Sequence, residues 1–225
     1  MRRLVVFSAA VVLTVTGCSG GGSTSKDESP QDRLAAAKKS LDDAEYIGFT
    51  LSTDSLPDGV DGLLEATGTG THAPAFTGDA KVKTAITVTT PIIAVDGKVY
   101  IQLPFSPWDD IDPAAYGAPD PAALMATDSG VSSLFTATTD VKVGDSERDA
   151  DVVLTSISGV IPNAEVKALF PSSGDGDFDV TYTVTDDDDI DRAAVTGPFY
   201  EGSDDVTYDL DFDLNADAVD ISAPD

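Results

Sequence analysis

An α+β protein built on one large antiparallel sheet is the fold the sequence predicts, and three observations predict it. From Tyr46 onward apolar and polar residues alternate with a period of two. Helical spacing is confined to four stretches, most of them short, and Asp96-Gly97 is a strong signal for a tight hairpin. A sheet with one oily face needs a cover, and these helices are too few to form a core of their own, so they belong against that face. The economical arrangement is a strongly curved sheet of many strands with helices filling its concave side.

The elements follow in order. Gln31 to Glu45 carries Leu34, Ala37, Leu41 and Ala44 at helical spacing. Ile47, Phe49 and Leu51 alternate with Gly48, Thr50 and Ser52 in a first strand that ends at Leu56-Pro57-Asp58-Gly59. Gly62 to Thr71 is a second strand, His72 to Ala75 a turn, and Phe76 to Thr84 and Ala85 to Val95 two more strands. Asp96-Gly97 suits the positive φ angles of a type I′ turn and joins the last of these to Lys98 to Leu103. Pro104 to Pro121, with five prolines and the only tryptophan, Trp108, interrupts the strands. Asp120 to Met125 reads as a capped helical turn with proline first, and Ser129 to Ala137 as a short helix with Val131, Leu134 and Phe135 on one face. Val141 to Glu147 and Val152 to Ile157 resume the strands, and Asn163 to Phe170 is another short helix. Phe178 to Val184 alternates cleanly, an acidic turn at Asp186 to Asp189 leads into Ile190 to Tyr200, and the final strand sets Val206, Tyr208, Leu210, Phe212 and Leu214 against Thr207, Asp209, Asp211 and Asp213.

The N-terminus decides where all this resides. Arg2 and Arg3 precede an apolar run from Leu4 to Val15, shorter than the roughly 20 residues of a membrane-spanning helix, and Gly17 precedes the only cysteine, Cys18. This order reads as a lipobox: residues 1–17 are a lipoprotein signal peptide and Cys18 is the lipidated first residue of the mature chain. Residues 18–30 are a Gly/Ser-rich flexible tether and residues 31–225 a single folded domain. The alternatives are an ordinary cleaved signal peptide with an incidental cysteine, or an uncleaved anchor. The expected location is the extracytoplasmic face of the cell membrane, held there by the Cys18 lipid.

Forty acidic residues against 13 basic ones give a formal charge of −27, which makes nucleic acid and anionic head groups poor partners. At 41% hydrophobic residues the chain is too apolar for a disordered acidic protein. Beyond Cys18 no cysteine is available for a disulfide, so stability rests on packing.

Reactive chemistry is scarce. The one histidine, His72, sits in a predicted turn beside Pro74 and is expected to be an exposed loop residue. Gly144-Asp145-Ser146 resembles the start of a lipase-type serine block, but it lies on a strand and no Asp-x-x-His follows it. Asp175, Asp177, Asp179 and Asp186 have the spacing of a calcium loop, yet Val180 stands where the loop needs glycine. The acidic run from Asp186 is expected to be a solvated turn. These features point to binding without covalent chemistry, and no metal or cofactor is expected.

Thr77-Gly78-Asp79-Ala80-Lys81-Val82, the hairpin Val95 to Tyr100, Pro107-Trp108-Asp109-Asp110 leading to Tyr116, Asp120-Pro121-Ala122 and Asp128-Ser129-Gly130-Val131 together resemble the LppX/LprAFG lipoproteins of actinobacteria, most of all the LprG-type members. The resemblance implies a LolA/LppX-like half-barrel enclosing an apolar cavity. It implies that acylated glycolipid or triacylglycerol is carried across the cell envelope, with a major-facilitator transporter as partner. It also implies that Ala80, matching a Thr-Gly-Asn-Val stretch, faces the cavity mouth. The chain departs from the family in its acidity, with Asp186 to Asp189 replacing a less charged turn.

Such a task has a physical rationale. A lipid with two chains of about 16 carbons loses on the order of 25 kcal/mol on entering water, at about 0.8 kcal/mol per methylene. An apolar lining can replace the bilayer as solvent for the tails. The apolar alternates expected to supply it are Phe49, Leu51, Ile86, Val88, Ile93, Val95, Tyr100, Leu124, Leu134 and Phe135. The competing reading is a structural or regulatory envelope lipoprotein with a filled core, which binds a protein partner.

Overall fold

The computed structural model describes residues 28–224. The expected signal peptide, Cys18 and most of the expected tether lie outside the described residues. The chain forms an 11-stranded open sheet in the order β6-β5-β4-β3-β2-β1-β11-β10-β9-β8-β7, with every neighbouring pair antiparallel. The strands are β1 (Ile47–Ser52), β2 (Gly62–Thr71), β3 (Ala75–Lys83), β4 (Thr87–Val95), β5 (Lys98–Ile101), β6 (Asp109–Ile111), β7 (Thr139–Asp149), β8 (Val152–Ile161), β9 (Phe178–Val184), β10 (Ile190–Gly197) and β11 (Val206–Asp213). The helices are α1 (Pro30–Asp43), α2 (Pro121–Leu124), α3 (Val131–Ala137) and α4 (Asn163–Leu169). No helix among the described residues is long and apolar enough to cross a membrane.

Alternation produces the expected two faces. On β9, Phe178, Val180, Tyr182 and Val184 are buried, and on β11, Val206, Tyr208 and Leu210 are buried while Thr207, Asp209, Asp211 and Asp213 are exposed. Although the Asp209 side chain reaches solvent, partial desolvation of its carboxyl, together with the like-charged neighbours Asp211 and Asp54, holds it above the usual carboxylate range. β7 is an edge strand exposed along almost its whole length. Its Lys142, Asp145, Glu147, Arg148 and Asp149 discourage pairing with another chain.

Helix α1 lies across one end of the sheet. Ser29 caps it by accepting from Asp32 N, Pro30 opens it, and Leu34, Ala37 and Leu41 are its buried stripe. Arg33 Nε donates to Asp188 Oδ1 at 2.6 Å and Arg33 Nη2 to Thr185 O at 2.8 Å, and Ser40 Oγ donates to Asp189. The acidic run was expected to be solvated throughout, but Asp188 is buried and two of its four carboxylates receive α1, because the helix brings a guanidinium and a hydroxyl to them. Farther along α1, Lys38 Nζ donates to Asp42 Oδ2 and Thr127 O, both at 2.6 Å, and Ser132 Oγ donates to Asp42 Oδ1 at 2.6 Å, which joins α1 to α3.

His72 is also not the free loop residue expected. It is half-buried, with Nδ1 2.7 Å from Met125 O and Nε2 2.9 Å from Leu41 O. The turn between β2 and β3 is thereby pinned to the C-terminal ends of α1 and α2. Within the proline-rich interruption the chain adds a strand that the pattern does not predict. β6 pairs with β5 through Val99↔Ile111 to Ile101↔Asp109, and Lys98 Nζ donates to Asp110 Oδ2 at 2.8 Å. A 3-10 turn at Pro113–Tyr116 follows, capped by Asp112.

Candidate functional site

The buried face of β1–β6 does not close on itself. Between these strands and the segment from Ile111 to Leu124 lies an apolar pocket of about 280 Å³. Strand residues Phe49, Leu51, Leu63, Ala66, Phe76, Ala80, Val82, Val88, Thr90, Ile92 and Ile101 form one wall. Pro113, Tyr116, Ala118, Pro119, Pro121 and Leu124 form the other. Pro113, Pro119 and Pro121 carry no backbone N–H, and Ala118 N and Leu124 N donate within the segment, to Pro113 O and Asp120 O.

The placement of Phe76 in the lining depends on two glycines. Gly68 on β2 faces Gly78 on β3, and a Cβ added at Gly78 would lie 2.0 Å from Thr67 O. A Cβ at Gly68 would lie 2.8 Å from Phe76 Cζ, so the Phe76 ring reaches across the space where a side chain would stand. The only buried polar side chain in the lining, Thr90, is satisfied within the sheet, donating to Gln102 O at 2.9 Å.

Six of the expected lining residues, Phe49, Leu51, Ala80, Ile86, Val88 and Leu124, are brought together on this pocket. Ala80 is buried midway along β3, on the wall and away from the rim, which is formed by Thr84, Ile86, Leu103 and Tyr116. Five others lie elsewhere. Val88, Thr90, Ile92 and Ala94 share one face of β4, so Ile93 and Val95 point the opposite way. Val95 borders a separate groove beside Asp96 and Gly97. Tyr100, the register partner of Ile93, has Lys98 Nζ 5.9 Å from its ring centre. Leu134 and Phe135 are packed in the solid part of the core, where Phe135 meets Tyr182 edge-on with ring centres 5.0 Å apart. Counting by twos from Ala80 and Val88 finds Phe76, Val82, Thr90 and Ile92, which the sequence reading missed because residues 92–95 are apolar on both faces. The second wall carries no such signal.

With no side-chain nucleophile or base in the lining beyond hydroxyl groups, the pocket offers dispersion contacts and exclusion of water. The isolated candidates for hydrolysis are engaged elsewhere: His72 with two carbonyls, and Ser146, on the edge strand β7, with Thr155 Oγ1 at 3.0 Å. Asp175, Asp177, Asp179 and Asp186 do not form a metal cluster, and none occurs among the described residues.

The model of the family described as LppX_LprAFG lipoprotein matches residues 29–217. The chain belongs to this family. LprF from Mycobacterium bovis has a similar structure, with a TM-score of 0.70 and 16% identity over 87% of this chain and 96% of that one. Lipoprotein LppX from Mycobacterium tuberculosis is similar too, with a TM-score of 0.63 and 16% identity over 88% of this chain and all of the other. At such identity the likeness concerns the fold alone. No curated protein matches the sequence. Membership in an LppX_LprAFG lipoprotein family fits a lipid-binding protein of the cell envelope, anchored at the membrane.

Proposed function

We propose that the chain binds acylated lipid in the pocket between β1–β6 and the Ile111 to Leu124 segment and carries it through the envelope, moored by lipid on Cys18. The observation that carries this reading is a continuous apolar lining that opens to the surface at Ile86, Leu103 and Tyr116. A hydrocarbon tail there exchanges water for side chains, at about 0.8 kcal/mol per methylene, while a polar head group remains outside.

The lining is apolar apart from the hydroxyl groups of Thr84, Thr90 and Tyr116, so it suits a hydrocarbon tail and not a sugar or a charged head group. For a major-facilitator partner the support is the family resemblance alone.

Mass spectrometry of organic extracts from the purified protein tests the proposal. Acylated lipid is expected in wild type and reduced after Ala80→Leu, which takes up part of the pocket. Extracts free of lipid in both would sink the carrier reading and leave the envelope lipoprotein that binds a protein partner.

A further inference from the structure

The pocket mouth carries apolar surface that the fold does not cover. Ile86 is 69% exposed, Leu103 46% and Tyr116 42%, and Phe105, two residues beyond Leu103, is fully exposed. Phe105 is also in an unusual conformation. Ser106 N donates to Leu103 O at 3.0 Å, Pro104 occupies the second position of this turn, and Phe105 has φ +65° at the third. That is the arrangement of a type II turn, whose third position favours glycine. An aromatic ring is thus held in water at a site where the backbone disfavours it, and nothing in the fold touches it in a way that compensates.

All four residues lie at one end of the sheet. The β3–β4 hairpin tip and the loop after β5 are adjacent there, since Gln102 N donates to Pro91 O and Thr90 Oγ1 to Gln102 O. Helix α1 lies across the opposite end, against the β9–β10 turn and His72. The ten residues of β2 separate the two ends by about 34 Å at ~3.4 Å per residue. The 11 residues from Cys18 to Glu28, with the step onto Ser29, span at most about 40 Å at ~3.6 Å each. A chain moored at Cys18 can therefore stand with α1 away from the membrane and the mouth against it.

We propose that Ile86, Leu103, Phe105 and Tyr116 form a bilayer-docking rim, which enters the boundary between head groups and acyl chains and opens the pocket directly onto lipid tails. The anchoring and cargo readings supply its purpose, but the rim stands on its own exposure and geometry. The charged groups nearest the rim are Asp109, paired with Ile101, and Lys83 at the end of β3, on a chain of formal charge −27, so the apolar side chains and no net attraction of charges drive insertion.

The sole tryptophan, Trp108, three residues from Phe105, reports on this directly. With the lipidated full-length mature protein in phosphatidylcholine vesicles, brominated acyl chains are expected to quench Trp108 fluorescence. Phe105→Asp is expected to lower the docked-to-undocked ratio roughly tenfold, the scale of losing one buried phenylalanine, and Phe105→Leu to retain most of it. Phe105 makes no core contact, so Phe105→Asp should keep its fold and its copurifying lipid. Quenching that is absent, or unchanged by Phe105→Asp, overturns the docking rim even where lipid copurifies. The same holds if Phe105→Asp instead abolishes a dimer in solution, which would make the rim an interface between copies. Quenching that depends on Phe105 in a protein that carries no lipid supports the rim while removing the carrier function.

Discussion

Over β7–β11 the buried face is filled by rings. Phe199 is central: its ring centre lies 4.8 Å from those of Phe178 and Tyr208 and 5.1 Å from that of Phe170. Tyr200 donates to the Tyr208 hydroxyl at 2.7 Å, which in turn donates to Leu63 O. Over β1–β6 the same kind of face presents Ala66, Ala80, Val82, Val88 and Ile92, with the pocket beside them. The contrast teaches that the backbone does not decide whether this sheet has a vacancy. Four packed aromatic side chains, each burying about 150–250 Å², close the interior in one half, whereas in the other Ala66, Ala80, Val82 and Val88 stand between Phe49 and Phe76 and the second wall and leave room.

The largest expected difference comes from removing volume on each side. Phe199→Ala should cost about 3–5 kcal/mol in urea denaturation, because its neighbours cannot collapse into the space. Val88→Ala, on a wall that already faces free space, should cost about 1 kcal/mol or less. Similar costs for the two would break the comparison.

Adding volume should reverse the asymmetry. A Cβ at Gly197 would meet the Phe178 ring at 2.4 Å, so Gly197→Ala should destabilise by about 1–3 kcal/mol. Ala80→Leu adds three heavy atoms yet should cost less than about 1 kcal/mol, since it points into the pocket, and it should reduce lipid copurification.

Tyrosine ionisation sharpens the same point. Burial, the main cause in each case, holds Tyr182, Tyr200 and Tyr208 protonated above their ordinary value of 10. In the unfolded chain they titrate near pH 10, so the stability they contribute is present below that pH and is lost as pH rises beyond it. The urea midpoint should begin to fall near pH 10 and keep falling as the pH rises further. Tyr208→Phe leaves Leu63 O without its donor, so it should cost about 1–3 kcal/mol at neutral pH and make the alkaline fall shallower.

The smallest effect is a gain. Phe105→Gly relieves the positive φ at the third position of its turn and should raise stability by about 0.5–1 kcal/mol. The same variant should dock less on vesicles, which would separate what the turn contributes to folding from what it contributes at the mouth.

How much of this was legible in the sequence varies along the chain. On β9 and β11 the alternation is strict, so the buried faces could be read directly. On β4, apolar residues at 92–95 occupy both faces, so the pattern does not separate Ile92, on the pocket, from Ile93 and Val95, on the other face. β6 is three residues, Asp109–Ile111, with no periodicity, and it exists because β5 offers an unpaired edge. His72 gave no sign of its role, since its partners Leu41 and Met125 are 31 and 53 residues away. The second pocket wall was hidden for the same reason: Pro113 to Pro121 looked like an interruption until it folded back over the strands.

The amino-acid sequence by itself determined the antiparallel sheet, its acidic outer face and its oily inner one, because side-chain direction follows from local backbone geometry with a period of two. Where the inner face is full and where it is empty was decided only by the tertiary structure. A vacancy is a difference between the space enclosed by distant segments and the side chains that reach into it, and no single stretch of chain carries that difference.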